Sequence, residues 1–265
     1  AYLFFGLIGY FAGCGLGIAL TVFRGLDLGM ILLLCGVSAA TFFALAWTIK
    51  IITGQEIIVY YHHEIAILCT CIGTLLALGK PVLPYLEVSL LGIGTLLFLG
   101  RWGCFSVGCC HGKPCNCRIG VTYSHAHGDA GFPRYYVGLK MFPIPLIESA
   151  WVFIIVIVSA CLVVMAYPVG TALIFYTTFY GAARFFFEFF RGDPERPYFL
   201  GFSEAQWTTL LLLLLSGFLS ALGILPFYWW HVGIVLALFS FMLLFLIFKS
   251  LLPNLKSQVL HPRHV

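Results

Sequence analysis

Residues 85–113, YLEVSLLGIGTLLFLGRWGCFSVGCCHGK, decide the fold class. The stretch begins as an apolar run, long enough to cross a hydrocarbon core of roughly 30 Å as a helix. It ends in a polar segment, 100–113, that carries one arginine, one lysine, one histidine and three cysteines. This combination predicts an integral membrane protein with a polar site at one end of a spanning helix.

The composition of the whole chain supports a membrane protein. Its 265 residues are 62% hydrophobic and only 9% charged, with a mean hydropathy of +1.04, whereas soluble domains are about 25% charged. The first apolar run has no leading basic cluster and no small-residue cleavage site, so we expect a spanning helix and not a signal peptide. Apolar runs are expected to span at 1–23, 28–52, 57–78, 85–103, 146–167, 168–190, 207–225 and 228–249.

These runs predict an all-α fold: a polytopic transmembrane bundle of seven to eight helices, forming a single domain over residues 1–265. A small loop-rich head is predicted between the fourth and fifth helices, over residues 104–145, and a second functional loop over 191–206. Because two spans separate these loops, both are expected on the same side of the membrane. Basic residues are scattered singly, which argues against a nucleic-acid partner, and no cofactor motif is present.

Ionisable residues inside a membrane are costly and are functional candidates by default. Arg184, Glu188 and Arg191 are spaced four and three apart, so they should share one helix face with Tyr180. The other candidates in or beside apolar runs are His62, His63, Glu64, Glu87, Arg101 and Glu148.

Arg101 and Arg184 are expected at the same membrane depth, because both of their helices end on the loop side. Two guanidinium forks at one depth suit a phosphate, which predicts a phospholipid headgroup as ligand. The alternative is charge neutralisation alone, with Arg184 paired to Glu188, and Arg101 paired to Glu87 or Glu148.

His62 and His63 offer a base that can take a proton from a thiol or hydroxyl near neutral pH. Adjacent side chains on a helix point about 100° apart. We therefore expect one of the two histidines to face the site.

Five of the ten cysteines lie outside the apolar runs and stand close to one histidine: Cys104, Cys109, Cys110, His111, Cys115 and Cys117. As metal ligands they supply enough soft donors for a zinc site. As disulfides they would staple the head in an oxidising compartment. Cys104 or Cys109 is alternatively a catalytic thiol near Arg101.

Two motifs resemble one known family. Residues 100–112 keep all three glycines, the arginine and the phenylalanine of the signature G-R-x-G-N-F-x-N-x-E-x-x-G, and Glu87 is an acid fourteen residues upstream of the arginine. Residues 180–191 match Y-G-x-x-R-x-x-x-E-F-F-R without a gap and are followed by Asp193-Pro194. Both motifs are similar to those of the prolipoprotein diacylglyceryl transferases.

The resemblance implies a bacterial plasma (inner) membrane transferase. Such enzymes move the diacylglyceryl group of phosphatidylglycerol to a lipoprotein cysteine and release glycerol phosphate. Arg101 and Arg184 would then grip the lipid phosphate, Tyr180 would orient the lipid, and His62 or His63 would assist the nucleophile. The donor would also lie against Gly103, Gly112, Glu148, Glu188 and Arg191.

The sequence departs from the family where Cys104, Val107 and Cys109 replace two asparagines and a glutamate. The family's Gly-Gly-Arg of the second span is missing, and the span at 228–249 exceeds its usual seven helices. The resemblance therefore supports the lipid donor more than the protein acceptor. A rival hypothesis is a membrane thiol-redox or metal-handling protein that uses the cysteine-rich head. A transporter ranks last, because no internal symmetry is evident.

Two arguments about membrane orientation conflict. The resemblance places the head outside the cytoplasm, whereas most basic residues lie on the head side, which by the positive-inside rule points the head to the cytoplasm. Basic residues that gather at a phosphate site distort such a count, so we follow the orientation of the family.

Overall fold

The computed structural model describes residues 2–54, 59–129, 132–192 and 198–251. In these ranges the chain forms eight long helices and one short one, which confirms the predicted all-α bundle. The helices are α1 Tyr2–Phe23, α2 Leu28–Thr53, α3 Tyr60–Ala77, α4 Val82–Val107, α5 His125–Asp129, α6 Ile144–Val164, α7 Thr171–Phe187, α8 Glu204–Ala221 and α9 Trp229–Leu251. The motif residues Asp193-Pro194 lie outside the described residues.

Six of the described helices are long and apolar enough to cross a membrane by length and composition: α1, α2, α4, α6, α8 and α9. The other two long helices pack between them, α3 against α2 and α4, and α7 against α6 and α8. Helix α3 contains His62, His63 and Glu64, and α7 is only 17 residues long. The chain is thus a multi-pass membrane protein.

The head connects α4 to α6 and contains little regular structure. Strand β1, Val121–Thr122, pairs antiparallel with β2, Lys140–Met141. After α7, a 3-10 turn at Glu188–Phe190 leads to the second loop, where β3, Tyr198–Phe199, pairs with β4, Phe202–Ser203. Residues of the two loops meet in an isolated bridge between Gly112 and Arg191. Both loops therefore lie at one end of the bundle, called the head end below, as predicted.

At the opposite end, polar side chains fasten the short connections between helices. Asp27 caps α2 by accepting the N–H of Gly29 at 2.9 Å, and Lys80 donates to its other oxygen at 3.1 Å. Glu87 is buried here and accepts the N–H groups of Gly170 and Ala172, at 3.1 and 2.7 Å. A carboxylate is favourable at a helix N-terminus, so Glu87 anchors the start of α7.

The last helix is tied to the bundle through a buried histidine. His231 on α9 contacts the hydroxyl of Thr178 on α7 at 2.6 Å through Nδ1, and that of Ser216 on α8 at 3.3 Å through Nε2. Polar groups buried in a bundle require such partners. The span predicted at 228–249 thus packs as a regular member of the bundle.

Candidate active site

A buried polar centre lies at the head end between α4, α6 and α7. Arg101 on α4 donates from Nη2 to Oε1 of Glu148 on α6 at 2.9 Å, and the hydroxyl of Tyr180 on α7 donates to the same oxygen at 3.1 Å. The Nε atom of Arg184 lies 3.9 Å from that oxygen. The structure thus pairs Arg101 with Glu148. Glu87 lies roughly 21 Å away along α4, at the rise of an α-helix.

A second carboxylate extends this centre along α7 and the turn that follows it. Arg184 lies 2.5 Å from Oε1 of Glu188 through Nη2, and Nε of Arg191 lies 3.9 Å from the same atom. All of these side chains are buried, as their spacing predicted. The six residues of this group are called the arginine site below: Arg101, Glu148, Tyr180, Arg184, Glu188 and Arg191.

The arginine site carries more positive than negative charge. Three guanidiniums face two carboxylates within it. In the described part of the chain, Nε of Arg101, Nε and Nη1 of Arg184, and Oε2 of Glu148 are buried without a hydrogen-bond partner. Buried polar groups normally find partners. An anion with several oxygen acceptors would satisfy the guanidinium donors and the excess charge together.

The head holds the end of α7 through backbone hydrogen bonds around Gly112. The N–H of Gly112 donates to the Phe142 carbonyl at 3.1 Å, and that of Lys113 donates to the Phe190 carbonyl at 2.8 Å. A Cβ on Gly112 would lie 2.3 Å from the Phe142 oxygen. Gly112 is therefore required by close backbone packing. The other predicted glycine, Gly103, is buried on α4, two residues beyond Arg101.

A small cavity of about 60 Å³ lies between α3, α4, α7 and α8 and is bordered by Tyr180. Its polar lining on α3 comes from Tyr61 and Glu64. Glu64 is buried and accepts the hydroxyl of Tyr60 at 3.2 Å. Sequence reasoning gave Glu64 no role, although a carboxylate in an apolar run one turn after a tyrosine was an available signal.

The two adjacent histidines point to different surroundings. His62 pairs through Nε2 with the carboxylate of Glu204, at the start of α8, and both side chains are 44% exposed. The ring of His63 packs against Phe42, 4.7 Å away, and its Nδ1 atom lies 3.0 Å from the Val59 carbonyl. His63 is therefore directed towards α2, whereas His62 lies at the head end beside the second loop.

The six predicted ligand residues of the head separate into three groups. The Sγ atoms of Cys104, Cys109 and Cys110 lie within 4.8 Å of one another. Cys115 and Cys117 form a disulfide with each other. His111 is buried beside the rings of Phe132 and Tyr136, with Nδ1 2.9 Å from the Gly112 carbonyl.

Cys110 lies in an electropositive environment at the head end. Hydrogen bonds from the Cys104 and Cys109 thiols lower the pKa of Cys110 well below its usual range, and burial opposes them. The positive charges of Arg191 and Arg101 lower that pKa further. The thiols are thus electrostatically coupled to the arginine site.

Comparisons with known proteins agree with the two motifs. The family model for prolipoprotein diacylglyceryl transferase matches residues 64–222, a segment that contains the arginine site and begins just after His62 and His63. A phosphatidylglycerol–prolipoprotein diacylglyceryl transferase of Clostridium tetani is 27% identical over 137 residues, 52% of this chain and 52% of that protein. The match thus spans about half the length of that relative.

No solved structure matches the chain. The match to the family model covers more than half of the chain and includes α4 and α7 with their motifs. The chain therefore belongs to the prolipoprotein diacylglyceryl transferase family.

Proposed function

We propose that this protein is a bacterial plasma-membrane enzyme that transfers the diacylglyceryl group of phosphatidylglycerol to a nucleophile and releases glycerol phosphate. A prolipoprotein is the acceptor that the name of the Clostridium tetani relative suggests, and the resemblance to the family implies that its cysteine is the nucleophile. The observation that carries the proposal is the excess of buried guanidinium donors in the arginine site.

In this proposal Arg101 and Arg184 hold the phosphate of the donor lipid. Guanidinium forks match phosphate oxygens in geometry and charge. The donors left over from the contacts with Glu148 and Glu188 would be satisfied by those oxygens. Since the arginine site lies where α4 and α7 end, a headgroup bound there would leave its acyl chains alongside the apolar helices.

The transfer exchanges one bond for another at a glycerol carbon. The sulfur of the acceptor attacks the diacylglyceryl carbon next to the phosphate ester oxygen, the new C–S bond forms, and the C–O bond breaks. Glycerol phosphate leaves with the electron pair of that bond, and the acceptor proton passes to a base. Negative charge therefore grows on the phosphate, and preorganised guanidiniums in a water-poor site stabilise that charge.

We assign the base to His62. Its ring is accessible at the head end, and the carboxylate of Glu204 orients it and would stabilise the imidazolium that forms. His63 is buried and packs against Phe42 on α2. Tyr180 and Glu148 would fix the positions of the arginines and of the bound glycerol.

The test uses the full chain, purified in detergent and returned to vesicles of phosphatidylglycerol labelled in its headgroup glycerol. With a peptide that carries a lipoprotein cysteine, the parent should release labelled glycerol phosphate. Arg101→Gln and Arg184→Gln should each lower the rate by about 10²–10³-fold, the cost of losing a group that stabilises developing charge. Lys80→Gln, at the opposite end, is the matched control and should keep the parental rate.

Two results distinguish an error in the proposed donor from an error in the proposed acceptor. Release of label with small thiols but not with the peptide would support the donor and reject the lipoprotein cysteine. The proposal would be refuted by two findings together. No acceptor would support release of labelled glycerol phosphate, and the parent and both arginine variants would retain equal amounts of phosphatidylglycerol.

A further inference from the structure

Three cysteines are brought together by the way α4 ends. Cys104 lies in the last turn of α4, and Gly108 closes the helix in the left-handed conformation, with φ of 79° and its N–H on the Cys104 carbonyl at 2.8 Å. Glycine adopts this conformation without strain. The chain reverses there, which returns Cys109 and Cys110 to the side of Cys104. These three residues are called the thiol cluster below.

The sulfur atoms of the thiol cluster are spaced as metal ligands are. At a Zn–S distance of about 2.3 Å, two thiolates of a tetrahedral site are roughly 3.8 Å apart. The Sγ atoms of Cys109 and Cys110 are 3.8 Å apart, and all three sulfurs lie within 4.8 Å of one another. Small side-chain rotations that move each sulfur by about 1 Å would bring all three to the spacing of zinc ligands.

The surroundings suit the charge that such a site would carry. Three thiolates around a divalent cation leave one negative charge in excess, and negative charge in a buried setting needs a nearby partner. Arg101 lies one helical turn before Cys104 on α4, and its buried Nε atom has no hydrogen-bond partner in the described part of the chain. The arginine site would thus balance the charge of an occupied thiol cluster.

The other three of the six predicted ligand residues are engaged elsewhere. Cys115 and Cys117 are joined to each other, and His111 is held by the Gly112 carbonyl beneath two aromatic rings. The protein thus supplies three sulfur ligands. Three protein ligands with a fourth position left for water or a substrate atom are typical of catalytic zinc sites. Cys109 is exposed and Cys104 is buried, so an ion can enter from the Cys109 side.

We propose that Cys104, Cys109 and Cys110 bind one soft divalent cation of the zinc class, as a three-thiolate site with an open fourth position. The three thiols release their protons to solvent when the ion binds. The site does not depend on the lipid-transfer activity proposed above, and its test measures metal alone.

The experiment is a metal titration of the full chain, purified in detergent with reductant and freed of metal. Co²⁺ should bind at one ion per chain, with a thiolate-to-cobalt charge-transfer band, and Zn²⁺ should displace it. Cys104→Ser, Cys109→Ser and Cys110→Ser should each weaken Zn²⁺ binding by more than about a hundredfold, because loss of an outer-shell partner alone costs roughly 10–100-fold.

Matched controls come from two other exposed free cysteines, Cys69 on α3 and Cys161 on α6. Cys69→Ser and Cys161→Ser should bind Co²⁺ as the parent does. Thermal unfolding of every variant without metal distinguishes loss of a ligand from loss of the fold, since only a folded variant that fails to bind supports the site.

Three results would overturn the proposal. The first is a reduced parent chain that shows no charge-transfer band, and the second is unchanged affinity in all three cluster variants. The third is a disulfide between two cysteines of the thiol cluster, found in protein whose free thiols were blocked by alkylation in intact cells before purification.

Discussion

The guanidinium of Arg101 donates to Oε1 of Glu148 at 2.9 Å, with side-chain exposures of 7% and 0%. This contact joins the end of α4 to the second turn of α6 inside the bundle. Because Tyr180 donates to the same oxygen, one carboxylate fixes the relative positions of three helices. Glu148 is thus the centre on which the arginine site is assembled.

Glu148→Ala should therefore destabilise the protein strongly. Removal of one partner of a buried ion pair leaves an uncompensated charge and costs about 3–5 kcal/mol in free energy of unfolding. Glu204→Ala removes a carboxylate that is 44% exposed, so its effect should be within about 1 kcal/mol. Chemical unfolding in mixed detergent micelles measures the free energy of unfolding of both variants.

A double substitution tests whether this cost comes from the pair. Arg101→Met combined with Glu148→Leu removes both charges, so the double variant should lose less stability than the sum of Arg101→Met and Glu148→Leu. Simple additivity would contradict a direct pairing of the two side chains.

The sequence predicted that Tyr180, Arg184, Glu188 and Arg191 share one helix face that points into the bundle. All four are buried, but α7 ends at Phe187, so Glu188 and Arg191 lie in and just after a 3-10 turn. The sequence did not predict which carboxylate pairs with Arg101, since Glu87 and Glu148 both lie in apolar runs. That choice depends on tertiary packing. Arg101 and Glu87 share a helix and lie at opposite ends of it, whereas α6 begins beside the end of α4.

The sequence also does not predict which cysteines lie together. The motif C-x4-C-C-H-x3-C-x-C supplies six possible ligands but does not show which of them lie together. It is therefore compatible with a metal site, with disulfides and with a catalytic thiol. The left-handed turn at Gly108 brings Cys109 and Cys110 back to Cys104, and the backbone pairing of Gly112 turns His111 away. Both effects arise from backbone conformations that residue spacing does not encode.

Tyr180→Phe should lower lipid turnover while changing stability little. The variant keeps the aromatic ring and loses one hydroxyl donor to Glu148, which costs about 1 kcal/mol of stability. Tyr85→Phe is the matched control, because the hydroxyl of Tyr85 also makes one hydrogen bond, which it accepts from the N–H of Asp27 at the opposite end. Release of labelled glycerol phosphate should fall at least about tenfold in Tyr180→Phe only. Equal rates in the two variants would show that the hydroxyl of Tyr180 does not orient the donor.

The two histidines should differ in their effect on the reaction. His62→Gln removes the proposed base and should lower glycerol phosphate release by about 10²–10⁴-fold. His63→Gln alters a ring packed against Phe42 and should affect thermal stability more than the rate measured on folded protein. A larger loss of rate in His63→Gln would move the base to His63.

Asp27 should make the bundle sensitive to acid at the end opposite the head. The hydrogen bond from Lys80 holds the pKa of Asp27 below its ordinary value, and the N–H of Gly29 adds to this effect. Because the folded-state pKa is the lower one, this contribution to stability is present at neutral pH and is lost as the pH falls through that value. Asp27→Asn should thus be less stable than the parent at pH 7, and the difference in melting temperature should shrink in acid. Lys80→Met should behave similarly, and adding it to Asp27→Asn should cause no further loss.

Gly112→Ala should disrupt the arginine site from a distance. The new Cβ would lie 2.3 Å from the Phe142 carbonyl oxygen, and the strain would break the hydrogen bond between the two backbones. Overpacking of this kind costs about 1–3 kcal/mol, and here it would displace the backbone of Gly112, which forms an isolated bridge with Arg191. Gly100→Ala is the matched control from the same motif: a Cβ there meets no described atom within 4 Å, and alanine favours a helix by about 1 kcal/mol. We expect Gly112→Ala to melt at a lower temperature and to retain less phosphatidylglycerol, with Gly100→Ala equal to or above the parent in both. Loss of lipid retention in Gly100→Ala alone would place the sensitive contact on α4 and not on the head.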